Sequence, residues 1–234
     1  MHTYIFPPSP LPALAIAGRS ERFPIRRIFC VGRNYAEHAL EMGAAEQADG
    51  REPPFFFMKP ADALVSGSDE IAVAYPPLTT DLQHEVEMVV ALSGGGGDIA
   101  PEQALERVFG YSVGLDLTRR DLQARAKGKG HPWDMSKGFD QSAVCGVLQP
   151  ATACGHPTRG RIWLAVNEQT RQDGDLAQMA WPVATIIANL SQSVSLAPGD
   201  LIYTGTPAGV GSIIPGDVIT AGIESLATLR IRIT

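Results

Sequence analysis

The sequence predicts an α+β fold in which strands dominate and helices stay short. Three observations lead there. Twenty-four glycines and 18 prolines cut the 234 residues into short segments, many of them apolar and β-branched, which suits paired strands better than a helical bundle. Pro-Gly-Asp occurs twice, at 198–200 and 215–217, each time ahead of an apolar run. The C-terminal residues alternate, with Ala227, Leu229, Ile231 and Ile233 on one face and Thr228, Arg230, Arg232 and Thr234 on the other, the period of a strand with one buried side. Hairpins at this spacing favour a rolled sheet or a barrel.

Taken in order, residues 1–24 carry Pro7, Pro8, Pro10, Pro12 and Pro24 around Leu14-Ala15-Ile16-Ala17. They are expected to form an extended N-terminal segment packed on a single body at 25–234. Ile28–Val31 is a short apolar strand, and Asn34 offers an N-cap for a helix over Tyr35–Met42 that Gly43 ends. Residues 44–53 are small and polar and read as a mobile loop. Pro54–Met58 is expected as a buried strand. Val86–Leu92 is another strand, closed by the turn Gly94–Gly97. Pro101–Phe109 carries a helical pattern with Asp98 as its cap, followed by a strand over Tyr111–Leu117 and an amphipathic helix over Arg119–Lys127. A strand at Arg161–Asn167 and a helix at Val183–Ser195, after Pro182, complete the pattern.

Composition narrows the function. A mass of 24.9 kDa allows one sizeable domain. A net charge of −6 and a pI near 5.4 argue against nucleic acid and anionic membrane surfaces as partners. Mean hydropathy is +0.01, which implies a large core, yet no stretch approaches the ~18 consecutive apolar residues of a membrane span. The N-terminus lacks the basic start and apolar run of a secretion signal. Cys30, Cys145 and Cys154 are an odd number without Cys-x-x-Cys spacing, which fits reduced, buried thiols in a cytoplasmic protein. Gly94–Gly97 lacks the Gly-Lys-Ser/Thr of a phosphate loop, and no serine-containing turn offers a Gly-x-Ser-x-Gly elbow.

The segment Leu82-Gln83-His84-Glu85-Val86-Glu87-Met88 carries the clearest chemistry. On a strand, Glu85 and Glu87 share a face while Val86 and Met88 take the other. Like charges side by side repel, so the pair is either a solvated strand face or a site for a hard divalent cation. Asp116 closes the apolar run Tyr111–Leu115, where a carboxylate is out of place unless paired or ligating. A third oxygen there completes a facial set, and Arg119, Arg120 and Lys137 supply cations for an anionic substrate. His38 and Glu41 stand three apart on the helix after Asn34, within hydrogen-bond reach. They are either an ordinary surface pair or an imidazole oriented as a general base.

Val31-Gly32-Arg33-Asn34-Tyr35-Ala36-Glu37-His38, Phe57-Met58-Lys59-Pro60, His84-Glu85-Val86-Glu87, Gly114-Leu115-Asp116-Leu117-Thr118-Arg119-Arg120-Asp121 and Thr204-Gly205-Thr206-Pro207-Ala208-Gly209-Val210-Gly211 together resemble the fumarylacetoacetate hydrolase family. The likeness runs in order from Ile28 to the C-terminus. Arg51–Phe57 further resembles the bacterial branch that cleaves fumarylpyruvate in the gentisate route of aromatic catabolism. The resemblance implies a mixed β-sandwich roll with peripheral helices, a homodimer, and Mg2+ or Mn2+ held by Glu85, Glu87 and Asp116. It implies hydrolysis of a carbon–carbon bond in a 2,4-diketo acid, with His38 and Glu41 activating water and Lys137 taking up the charge of the departing pyruvate. Arg120, Gln123 and Thr206 would contact substrate, and a second carboxylate at its far end would want another cation, for which Arg33 or an arginine from the lid is the candidate. Two other readings stand beside it: an oxaloacetate decarboxylase or tautomerase on the same scaffold, which needs no activated water, and a non-catalytic metal-binding dimer.

Overall fold

The computed structural model describes residues 3–43 and 53–234. The apolar runs assemble into two main sheets. A mixed eight-stranded sheet runs in the order Phe55–Lys59, Arg27–Gly32, Asp200–Tyr203, Val86–Leu92, Val108–Asp116, Ala143–Cys145 and Leu64–Ser66, with Gln149–Pro150 also paired to Val108–Asp116. A five-stranded sheet runs Gln169–Asp175, Arg161–Val166, Val218–Ile223, Leu229–Ile233 and Ile71–Val73. A small three-stranded sheet, Thr118–Arg119, Leu82–His84 and Gly211–Ile213, joins the chain segments around the site. The helices Ala36–Glu41, Arg120–Lys129 and Val183–Ser193 are attached to these sheets. Among the described residues the larger sheet does not close on itself, so the fold is a curled β-sandwich rather than a closed barrel.

The strand Val86–Leu92 is buried on both faces, and its period-2 pattern divides two cores. Val86, Met88, Val90 and Leu92 enter the sandwich with Ile162, Leu164, Ile219 and Ile231. Val89 and Ala91 face a second cluster with Ile28, Cys30, Leu201 and Tyr203. Leu14, Ile16 and Phe23 join that second cluster, and Ala13–Ala15 pairs with Arg22–Pro24 as a two-stranded ribbon. Burying each such side chain stabilises the fold by about 1.5–3 kcal/mol. Glu85 and Glu87 occupy the odd-numbered face, so they close one end of the second cluster.

Four sequence expectations need correction. Asn34 is not a helix cap: the helix spans Ala36–Glu41 from an uncapped Tyr35. The Asn34 amide instead donates to Trp181 O and Thr204 O and accepts from Trp181 N, so distant backbone outcompetes the local cap. The strand after Pro54 is Phe55–Lys59, and it is a sheet edge with Phe55 and Met58 exposed. The helix expected to reach Phe109 stops at Ala104 and continues only as a 3-10 turn at Leu105–Arg107. Val108 pairs with Leu92, so sheet pairing captures the end of that pattern, and Ala100 rather than Asp98 stands at the N-cap. The expected loop at 44–53 lies, apart from Pro53, outside the described residues.

Candidate active site

Sheet register brings the three carboxylates together. Val86–Leu92 and Val108–Asp116 pair antiparallel with Val86 opposite Leu115 and Glu87 opposite Gly114, and the Asp116 N–H donates to Glu85 O at 2.9 Å. Glu85 lies where the chain passes from the three-stranded sheet into the large one. All three carboxylates are buried, and one oxygen of each lies within 4.8 Å of the others.

Their compensation is unequal. Glu85 Oε1 accepts from Arg120 Nη2 at 2.5 Å and Oε2 from Lys137 Nζ at 2.7 Å. Lys137 Nζ also donates to Asp116 Oδ2 at 2.8 Å. Burial alone would raise the Glu85 carboxyl, but Lys137 and Arg120 outweigh it and hold the group well below the usual range. Burial likewise opposes the Lys137 charge, and Asp116 and Glu85 overcome it and push the ammonium upward. Glu87 has only the backbone N–H of Gly205, at 2.7 Å, and no cationic partner among the described residues. Burial, with Asp116 and Glu85 beside it, drives its carboxyl well above the usual range. Lys59 Nζ stands 2.8 Å from Asp116 Oδ1, yet off the direction of a hydrogen bond, so that oxygen has no hydrogen-bond partner among the described residues. An uncompensated glutamate and an orphaned aspartate oxygen, converging with Glu85, are a donor set that fits a hard divalent cation.

The His38–Glu41 pair borders the same space. His38 Nδ1 lies 3.3 Å from Glu41 Oε2, and since the carboxylate can only accept, Nδ1 carries the hydrogen and Nε2 is the basic nitrogen. Glu41 also accepts from the Gly209 N–H at 3.2 Å. Burial lowers the His38 pKa below its ordinary value, against the opposing pull of Glu85 and Glu41. The ring is therefore neutral at neutral pH and able to take a proton.

Arg33, His38, Glu85, Glu87, Asp116, Arg120, Gln123, Lys137 and Thr206 line one cleft. Glu41 stands behind His38. Arg120 is fixed by Gln83 and Gln123, each accepting at 2.7 Å. Arg33 adopts φ 58° and lays its guanidinium 5.7 Å from the Phe55 ring. Arg119, expected among the substrate cations, turns away and stacks 4.4 Å from the Phe139 ring.

Several members of the site have no assignment from sequence. Lys59 is buried and donates to Leu117 O at 3.1 Å and to Lys137 O; one of only four lysines, ending a strongly apolar run, it had a signal in its rarity. Lys127 stands at the cleft mouth, its Nζ 3.5 Å from Met42 O, and burial together with Arg33 and Arg120 lowers its pKa. Phe57 and Trp133 form an apolar wall, with Lys137 Nζ 5.1 Å from the Phe57 ring. Gln172 and His84 are wholly buried partners behind Glu85. Gln172 sits in a polar stretch that gives no warning of its place.

A curled β-sandwich carrying a buried Glu-x-Glu and Asp set beside a His–Glu pair defines a class, and the comparisons agree with it. The chain belongs to the fumarylacetoacetate hydrolase family: the family model described as fumarylacetoacetate (FAA) hydrolase C-terminal matches residues 27–234. Among individual proteins, the fumarylpyruvate hydrolase of a Ralstonia species is 41% identical over 78% of this chain and 93% of its own length. The crystal structure of fumarylpyruvate hydrolase from Pseudomonas aeruginosa, in complex with Mn2+ and pyruvate, superposes with a TM-score of 0.96 at 46% identity, covering 99% of each chain. The mitochondrial oxaloacetate tautomerase of Mus musculus is 38% identical over 89% of this chain and 91% of its own.

Proposed function

We propose that the protein hydrolyses the carbon–carbon bond of a 2,4-diketo acid, fumarylpyruvate above all, to fumarate and pyruvate. The observation that carries this reading is His38, oriented by Glu41, which the Gly209 N–H holds in turn, on the wall of a cleft floored by three buried carboxylates. Glu85, Glu87 and Asp116 would hold Mg2+ or Mn2+, which when bound supplies a Lewis acid and a template for the 2-oxo acid end. Support for the ion comes from the donor set itself and from the Mn2+ in the Pseudomonas aeruginosa relative.

The chain's own residues then divide the work. Gln123 and Thr206 orient the carboxylate end, and Arg120 adds positive charge beside it. His38 Nε2 takes a proton from a water molecule, which adds to the 4-carbonyl, and Glu41 stabilises the imidazolium that results. The bond between carbons 3 and 4 breaks, the acyl fragment leaves as fumarate, and the electron pair stays on carbon 3 as the pyruvate enolate, which becomes pyruvate by taking up the proton that His38 had accepted. Lys137 offsets the negative charge that develops there. Arg33 and Lys127, two cations at the cleft mouth, suit the second carboxylate of a fumaroyl group. Phe57 and Trp133 suit its flat, unsaturated carbons.

The same reading makes the protein a cytoplasmic homodimer acting in the gentisate route. The exposed Phe55 and Met58 on the edge strand of the large sheet suit contact with a second copy. A second activity, oxaloacetate tautomerisation, is favoured by the likeness to the mouse enzyme. A non-catalytic metal-binding dimer would have no use for the His38–Glu41 contact.

His38→Ala separates these readings. Hydrolysis of fumarylpyruvate should fall by roughly 100-fold or more, the usual share of a general base, with oxaloacetate turnover retained. Unchanged hydrolysis in His38→Ala would remove water activation from the account.

A further inference from the structure

The strand Gln169–Asp175 lies at an edge of the five-stranded sheet and reads Gln-Thr-Arg-Gln-Asp-Gly-Asp. Gln172 is its one buried residue, with 0% exposure. Its pairing with Arg161–Val166 slips, with Leu164 opposite Gln172 and Ala165 opposite Thr170, so Arg171 is the extra residue of a bulge. Bulges re-aim side chains, and this one turns Gln172 toward the back of the cleft.

All four hydrogen-bonding positions of the Gln172 amide are used. Oε1 accepts from the Val86 N–H and from His84 Nδ1, both at 3.0 Å. Nε2 donates to Thr206 Oγ1 at 2.7 Å and to Pro207 O at 2.8 Å. The polarity of the amide is not a free choice, because a backbone N–H only donates and a backbone carbonyl only accepts. Oxygen must face Val86, and nitrogen must face Pro207 and Thr206.

The consequence falls on Thr206. Its oxygen receives a hydrogen from Gln172, so its own hydroxyl hydrogen has to go elsewhere. Among the described residues it donates to nothing, and Thr206 is one of the residues that line the cleft. The loop that carries it is pressed onto the bulge: Gly209 has φ +93°, and a Cβ there would come 2.1 Å from Arg171 O. The same Gly209 supplies the N–H that holds Glu41.

We propose that Gln172 is a positioning residue that makes Thr206 an obligate hydrogen-bond donor, aimed at an anionic oxygen of the bound 2-oxo acid. This rests on the reading of the cleft as a 2-oxo acid site. A residue at 172 that accepts instead of donating would draw the Thr206 hydrogen backward and leave the ligand oxygen without it.

The test is calorimetric titration of pyruvate into Mn2+-loaded protein, with Mn2+ affinity measured separately. Gln172→Glu keeps the shape but cannot donate as a carboxylate; Gln172→Met removes the polarity altogether. Both should weaken pyruvate binding by roughly tenfold or more, the loss of one hydrogen bond to a charged group. Thr206→Val should do the same, Thr206→Ser should hold wild-type affinity, and Gln172→Met with Thr206→Val should be no weaker than Thr206→Val alone. Pyruvate affinity within about twofold of wild type in both Gln172 variants, or losses that multiply in the double variant, would overturn the proposal, because a merely structural residue would lower Tm and leave the coupling absent. Should the Gln172 variants fail to fold, equal pyruvate affinity in Thr206→Val and Thr206→Ser would overturn it. Wild-type protein that binds pyruvate but leaves fumarylpyruvate intact would sink the hydrolase reading while leaving this comparison standing.

Discussion

Glu87→Gln should improve the metal-free protein and disable the metal-loaded one. Glu87 is the carboxylate without a cation, buried against Asp116 and Glu85, and its pKa is pushed well above the usual range. The sign follows from linkage. Above the unfolded pKa near 4.5 the unfolded chain has lost the proton that the folded chain retains, so metal-free stability falls as pH rises toward the folded pKa. Each unit of upward shift costs about 1.4 kcal/mol. Glutamine keeps the Gly205 N–H acceptor and carries no charge, so the variant without metal should be at least as stable as wild type at pH 7 and should lose this pH slope. With metal the order reverses. At 100 times its dissociation constant a ligand adds about 2.7 kcal/mol to wild type, roughly 5–11 °C in Tm for a domain of this size. The variant should gain under about 1 °C at the same Mn2+ concentration. Differential scanning fluorimetry with and without Mn2+, after chelator treatment, makes the measurement. Equal Mn2+ stabilisation of both proteins would refute the assignment of Glu87 as a ligand.

Other outcomes follow from the same geometry. Because burial lowers the His38 pKa and a nearby cation would lower it further, the acid limb of kcat/KM should fall below pH 6.5 at saturating metal. A midpoint above 6.5 would contradict a neutral, buried base. Lys59→Met removes one of the two ammonium groups at Asp116 and leaves Lys137, which should cost about 1.5–3 kcal/mol in urea unfolding, the worth of one contact to a buried charged group; a cost under ~1 kcal/mol would show the contact to be idle. Arg33→Ala should raise KM for fumarylpyruvate by roughly tenfold and leave acetylpyruvate, which has no distal carboxylate, within about twofold. An equal effect on both substrates would place Arg33 outside the distal subsite.

The carboxylate set was legible in the sequence because strand period alone puts Glu85 and Glu87 on one face, and Asp116 stood out as a charge ending an apolar run. His38 and Glu41 were legible from helical spacing. The strand Val86–Leu92 and the alternating C-terminal strand appear at or near their expected bounds. What sequence did not reveal depends on long-range register. Asn34 is ideal for a local cap, yet its partners lie 147 and 170 residues away. Val108 left a helical pattern because Leu92 offered a strand partner. Lys59 meets Asp116, and Gln172 meets Thr206, only after separate strands have packed, and no periodicity marks either. Arg119 and Arg120 are neighbours of equal charge, and only the start of the Arg120–Lys129 helix decides which one faces the cleft.

The most direct measurement is the turnover of fumarylpyruvate by the purified protein, following loss of its enol absorbance with Mg2+ or Mn2+ and again with chelator, beside oxaloacetate. The account predicts rapid, chelator-sensitive loss with pyruvate and fumarate formed in equal amounts. Turnover of oxaloacetate with fumarylpyruvate left intact would contradict it, leaving the carboxylate centre in place and removing His38 and Glu41 from the role assigned to them.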